Sequence, residues 1–114
     1  MAFSPDGVLL GVGTGSRLDV WDTREGDAMP SMDMKDGLVT ALCFDRRRRY
    51  AAVGDEQGRI GVFAISDGSL LDVLLGHVGP VRSVQFDATS TRLVSGGDDT
   101  TVLAWLLELP ESGR

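Results

Sequence analysis

The chain has a single cysteine, a single histidine and a shortage of positive charge, and each scarcity removes a class of function. With one cysteine, Cys43, no intrachain disulfide can form, and a thiolate metal site has no second ligand of its kind. Cys43 lies in an apolar strand-like stretch, where it reads as a small buried hydrophobe. Eleven Lys and Arg face seventeen Asp and Glu, a net charge of −6. That balance argues against a general nucleic-acid binder or an anionic-membrane binder, both of which need excess cation. No stretch approaches the roughly 18 apolar residues of a membrane-crossing helix. Nor does the N-terminus show a basic segment followed by an apolar one. The expected location is therefore the cytoplasm, with the nucleus as the alternative.

What is present is ordinary in amount and unusual in arrangement. Hydrophobic residues make up 42% and charged residues 25% of 114 positions, enough for one domain with a modest core. Fifteen glycines stand singly between apolar runs, a placement that suits turns between strands. Phe3, Phe44 and Phe86 lie 41 and 42 residues apart, and Trp21, Phe63 and Trp105 lie 42 apart. Three copies emerge in register: AFSPDGVLLGVGTGSRLDVW, CFDRRRRYAAVGDEQGRIGVF and QFDATSTRLVSGGDDTTVLAW. Within each copy, short alternating runs separated by turn clusters predict an antiparallel sheet folded back and forth. In the first copy the strands are expected at Val8–Val12, Leu18–Trp21 and Ala28–Met34, the last weakened by Pro30. In the second they fall at Leu38–Phe44, Tyr50–Val53, Ile60–Ala64 and Leu70–Leu75.

The stretch from Gly76 to Trp105 is the best preserved of the three. Gly76-His77 opens it, Ser95 lies in its second strand, Asp99 in the following turn and Trp105 in its third strand. In these residues, and in the Trp21-Asp22 dipeptide of the first copy, the chain resembles the WD-repeat family of β-propellers. The resemblance covers Phe3 to about Leu109, roughly 2.7 repeats. It implies an all-β fold of tandem four-stranded antiparallel blades, an open three-blade arc rather than a closed ring. A partial propeller is expected over residues 1–109, with blades near 1–34, 35–75 and 76–109, and a C-terminal tail at 110–114. It also implies a structural relay in which Trp105 donates to Ser95, Ser95 to His77 and His77 to Asp99. The second copy has Lys35, Val53, Gln57 and Phe63 at those positions, so its blade is expected to hold by apolar burial alone.

Several motifs invite other chemistry. Ser95, His77 and Asp99 have the residue types of a hydrolytic triad. Leu93-Val94-Ser95-Gly96, however, reads as a strand and not as a Gly-x-Ser-x-Gly elbow, so no catalytic residue is assigned. Gly11-Val12-Gly13-Thr14-Gly15 leads into a strand and lacks the helix N-terminus that a phosphate loop needs, so no cofactor is expected. Asp98-Asp99 has no third carboxylate nearby in sequence, and no metal is expected. Arg46–Arg49 is a run of four cations that reads first as a solvated turn between strands and second as a grip for an acidic partner. Trp21-Asp22-Thr23-Arg24 resembles the Trp-Asp-x-Arg signature of substrate receptors of cullin ubiquitin ligases, but Gly15 stands where the fuller pattern has Asp. Methionines 29, 32 and 34 read as packing or rim residues.

By the same resemblance, function is binding of other proteins or peptides through a loop face. Lys35, Thr40, Asp55, Arg82 and Asp98 are the candidate contact residues. The expected role is a non-enzymatic interaction scaffold; the alternative is a propeller portion of a larger protein whose catalytic domain, for example a protein kinase, lies outside this chain. Fewer than three repeats leave two sheet faces uncovered, so self-association through exposed blade faces is expected as well.

Overall fold

The period of two in the apolar pattern is realised throughout. The computed structural model describes residues 2–107, and every regular element among them is a β-strand. The first sheet holds β1 (Ala2–Phe3), β2 (Leu9–Thr14), β3 (Arg17–Asp22), β4 (Asp27–Ala28) and β5 (Met32–Asp33). Strands β1 to β4 follow in order, and β5 pairs with the opposite end of β3. The second sheet is β6 (Val39–Phe44), β7 (Tyr50–Asp55), β8 (Arg59–Ala64) and β9 (Leu70–Leu75), paired in chain order. The third is β10 (Val81–Phe86), β11 (Arg92–Gly97) and β12 (Val102–Leu106), again in order. All these pairings are antiparallel.

Two apolar layers lie between the three sheets. Leu9, Leu18, Val20 and Met32 of the first sheet pack with Phe44, Ala51, Val53 and Phe63 of the second. Ala52, Ile60 and Val62 project the other way, onto Val81, Val84, Phe86 and Leu93 of the third. Alternation along β7 thus feeds both layers, and all six of its residues are buried. Each large apolar side chain wholly withdrawn from water, such as Leu18 or Ile60, contributes about 1.5–3 kcal/mol. The close stacking depends on missing side chains. A Cβ on Gly11 would stand 2.9 Å from the Phe44 ring, and one on Gly54 would stand 2.7 Å from Val81.

The expected outer strand of the first copy, Ala28–Met34, is corrected to two fragments. Met29 N–H donates to Val20 and Met34 N–H to Ser16, but Pro30 between them has no N–H to give. The strand therefore breaks there, and only β4 and β5 remain of it. Strands β2 and β7 each run two residues further than the apolar pattern indicated, because Gly13-Thr14 and Gly54-Asp55 continue the ladder without contributing bulk. The third sheet shows three strands among the described residues. The tail expected at 110–114 and the last two residues of the third repeat lie outside them.

The innermost strands β6 and β10 carry matching irregularities. Their registers shift between Val39 and Ala41 and between Val81 and Ser83. Thr40 and Arg82 are the extra residues, 42 positions apart. A bulge of this kind re-aims the side chain it carries.

Candidate interaction face and the ties beneath it

The loop from β9 to β10 lays Gly76 and His77 over the third sheet. Gly76 is needed there because a Cβ would meet the Trp105 ring at 2.7 Å. The His77 side chain is wholly buried, with Nε2 2.7 Å from Ser95 Oγ. The Trp105 indole N–H donates to the same hydroxyl oxygen at 2.9 Å. Since an indole nitrogen only donates, Ser95 accepts from it and turns its own proton to Nε2. The hydrogen-bond network thereby assigns the ring proton to Nδ1, which faces Asp99 Oδ1 at 3.2 Å. Asp99 also accepts from the Thr101 hydroxyl at 2.6 Å and from the Val78 amide at 3.0 Å. These donors, the Thr101 hydroxyl first, hold its carboxyl far below the usual carboxylate range. The four side chains are therefore one connected string, and β11, β12 and two loops are tied together by it.

The middle blade has no such string, yet it is not held by apolar contacts alone, and that expectation is corrected. Asp55 stands where the third repeat has Gly97, and its side chain is 0% exposed. Its Oδ1 accepts from the amides of Gln57 (3.0 Å) and Arg59 (2.9 Å). Its Oδ2 receives Arg59 Nε at 2.8 Å. A Cβ on Gly37 would collide with this carboxylate and with the guanidinium, so Gly37 makes the room they occupy. An acid–guanidinium pair thus fills the space that the imidazole occupies one blade on. Nothing in the linear pattern marked Arg59; only the shared position of Asp55 and Gly97 points to it.

Burial of Asp55 also removes it from the candidate contact residues. The others divide. Thr40 and Arg82 line one groove of about 380 Å³ along the innermost strands, together with Gly13, Val39 and Ser83. Thr40 Oγ1 donates to Val81 O at 2.6 Å, so its hydroxyl couples neighbouring blades. Arg82 forms a two-pronged ion pair with Asp98, both contacts at 2.7 Å, with both side chains about half exposed. The guanidinium keeps the Asp98 carboxyl below its usual range. Lys35 is exposed, with φ of 79°, and lines a different groove between the first two blades, beside Arg59 and Phe63.

The remaining motifs resolve locally. Ser95 lies mid-strand in β11, paired in register with Val84 and Leu103. Gly11 to Thr14 belong to β2, and Gly15 takes the turn with φ of 62°. Arg24 folds back onto Asp22 through Nε and its terminal nitrogen, at 3.2 and 2.8 Å, and lowers that carboxyl to about 2. Burial pushes the Cys43 thiol up to about 12, which leaves it protonated and unreactive at neutral pH. Met32 and Met34 are core residues.

Three stacked antiparallel sheets, one with a Trp-Ser-His-Asp string, coincide with what comparison with known proteins finds. The family described as "WD domain, G-beta repeat" matches residues 68–105, from the turn before β9 to the tryptophan of the string. Meiotic recombination protein rec14 of Schizosaccharomyces pombe is 30% identical over 100 residues, 87% of this chain and 33% of that protein. The chain belongs to the WD-repeat family. WD repeat-containing protein 18 of Bos taurus is 33% identical over 87 residues, 76% of this chain and 20% of that protein. Apoptotic protease-activating factor 1 of Rattus norvegicus is 28% identical over 91 residues, 80% of the chain and 7% of that protein. The chain spans about a third or less of the length of these relatives. Its three sheets are WD blades in an open arrangement, and domains of this kind are protein-interaction scaffolds.

Proposed function

We propose that this chain is a non-catalytic protein-interaction module whose contact surface is the groove along β6 and β10. The observation that carries the reading is the pair of bulges at Thr40 and Arg82. Two repeat-equivalent side chains are aimed into one groove, with Asp98 fixed beside them. A binding face gains specificity when a few polar groups are held in place by the scaffold beneath. The relay of His77, Ser95, Asp99 and Trp105 is structural in this reading. Ser95 is 1% exposed and its oxygen is already occupied by an indole N–H, so it offers no nucleophile. Partners are other proteins or peptides, and the uncovered outer faces of the first and third blades favour self-association in addition.

The test is affinity capture with the immobilised chain, compared with Arg82→Ala and Asp98→Ala variants, each with its melting curve. The exposed pair contributes little to stability, so melting should stay within about 0.5 kcal/mol of the parent. Loss of specific captured proteins at unchanged stability supports the groove as the contact surface. Retention of all of them by both variants places binding elsewhere. An esterase or peptidase activity abolished by Ser95→Ala contradicts the non-catalytic assignment.

A further inference from the structure

The opposite ends of the same strands gather a second set of charged groups. The β6–β7 turn is Asp45-Arg46-Arg47-Arg48-Arg49, and its counterpart 42 residues on is Asp87-Ala88-Thr89-Ser90-Thr91. The two turns sit side by side, joined where Ser90 Oγ donates to the wholly buried Asp45 carboxylate at 3.0 Å. Between them lies a groove of about 340 Å³ lined by Arg47, Arg49, Tyr50, Thr89 and Thr91. A smaller groove on the far side of Ala88 is lined by Arg46.

Arg48 stands against Asp6 at 2.9 Å and spends its charge on the first blade. Arg49 lies over the Tyr50 ring at 5.2 Å, and its Nε is 3.6 Å from Asp45, an ion-pair contact without a hydrogen bond. The buried Nε atoms of Arg48 and Arg49 both have no hydrogen-bond acceptor among the described residues, and buried donors of this kind want one. Arg46 and Arg47 are exposed and make no ion pair among the described residues. Carboxylates nearby are engaged as well: Asp45 accepts from the Arg49 and Tyr50 amides, and Asp87 from the Thr89 hydroxyl and the Thr91 amide. The local balance is an excess of guanidinium donors around a groove of suitable size, in a chain of net charge −6.

We propose that this groove is a binding subsite for a phosphate-type oxyanion carried on a phosphorylated serine or threonine of a partner polypeptide, with Arg47 and Arg49 as its cationic donors. Guanidinium groups meet phosphate oxygens by paired charge-assisted hydrogen bonds, and a phosphoryl group brings three acceptors and close to two charges. A carboxylate brings fewer of both. A polyanion is disfavoured by the same electrostatics. Nucleic acid laid across this face extends beyond four arginines onto an acidic surface, within a screening length of about 8 Å. A single phosphorylated side chain meets only the basic turn. The subsite lies at the far end of β6 and β10 from the Thr40–Arg82 groove and does not depend on it.

The test uses the whole chain and a fluorescein-labelled alanine pentapeptide with phosphoserine at its centre, followed by fluorescence anisotropy. Peptides with serine or glutamate at the centre, and a labelled single-stranded oligonucleotide, are the comparisons. The phosphoserine peptide is expected to bind, and to bind about tenfold more tightly than either comparison peptide. Arg47→Gln and Arg49→Gln are each expected to weaken it by about tenfold, with Arg17→Ala, an exposed arginine of the first blade, without effect. Arg47 is exposed, so its variant keeps the fold and remains informative if Arg49→Gln destabilises the turn. Binding indifferent to phosphorylation, unchanged in Arg47→Gln, or tighter for the oligonucleotide overturns the proposal.

Discussion

Thr100 occupies a backbone conformation that threonine avoids. Its φ is 65°, in the left-handed region that Gly58, the residue one repeat back, also occupies with a φ of 89°. A β-branched side chain in the left-handed region crowds its own carbonyl at a cost of roughly 1–2 kcal/mol. The exposed Thr100 hydroxyl donates only to the adjacent Asp99 carbonyl, so little else is lost with it. Thr100→Gly is therefore expected to raise stability by about 1 kcal/mol, somewhat offset by the greater freedom of glycine in the unfolded chain. An increase in the denaturant midpoint checks this; a decrease shows that the hydroxyl matters more than the strain. Residue identities at this level were legible to different degrees. The relay was readable because its four side chains, present together only in the third copy, stand at the spacing of the family the chain resembles. Asp55 was misread as a rim residue because its burial depends on the room left by Gly37 and on the reach of Arg59, neither of which has a sequence period.

At the scale of the blade, the same job is done by two kinds of chemistry. The third blade closes its loop with an imidazole between a hydroxyl and a carboxylate, the second with a carboxylate clamped by a guanidinium. These should fail differently. His77→Ala leaves the buried Ser95 hydroxyl without an acceptor and Asp99 without the ring N–H, and is expected to cost about 1–3 kcal/mol. Arg59→Ala leaves the Asp55 carboxylate buried with its amide donors but no counter-charge. Because Arg59 is about a quarter exposed, the expected loss is about 2 kcal/mol, below that of a fully enclosed pair. Restoring neutrality with Asp55→Asn in the Arg59→Ala background should recover part of it. Chemical denaturation of the single and double variants measures this, and a double variant no more stable than Arg59→Ala alone contradicts the charge account. Strand positions were legible from alternation, but the break at Pro30 was not: the proline was read as weakening one outer strand, and it divides that strand in two. The bulges at Thr40 and Arg82 were not, because a register shift is a property of two paired strands and leaves no mark on either one.

Among the described residues, the middle sheet is covered on both faces and each outer sheet on one. Phe3 and Trp21, 60% and 42% exposed, share register with Leu10 on the free face of the first sheet. Val94, Val102 and Leu106 are exposed on the third sheet, the last two at 75% and 71%. Static light scattering of the isolated chain is expected to show an average mass that rises with concentration. Trp21→Lys and Leu106→Lys should each suppress the rise, and the double variant should add nothing, because both belong to one junction. A constant mass of one chain at all concentrations rules this out.

The two free faces are not alike. One presents flat rings, the other branched aliphatic side chains, and the sheets behind them all run the same way round. Copies that stack through unlike faces repeat one rotation at every step, so their growth has a heading. Such a series either returns to its starting point after a whole number of copies or winds on as a fibre. The twist between neighbouring sheets, and not the strength of the contact, decides which.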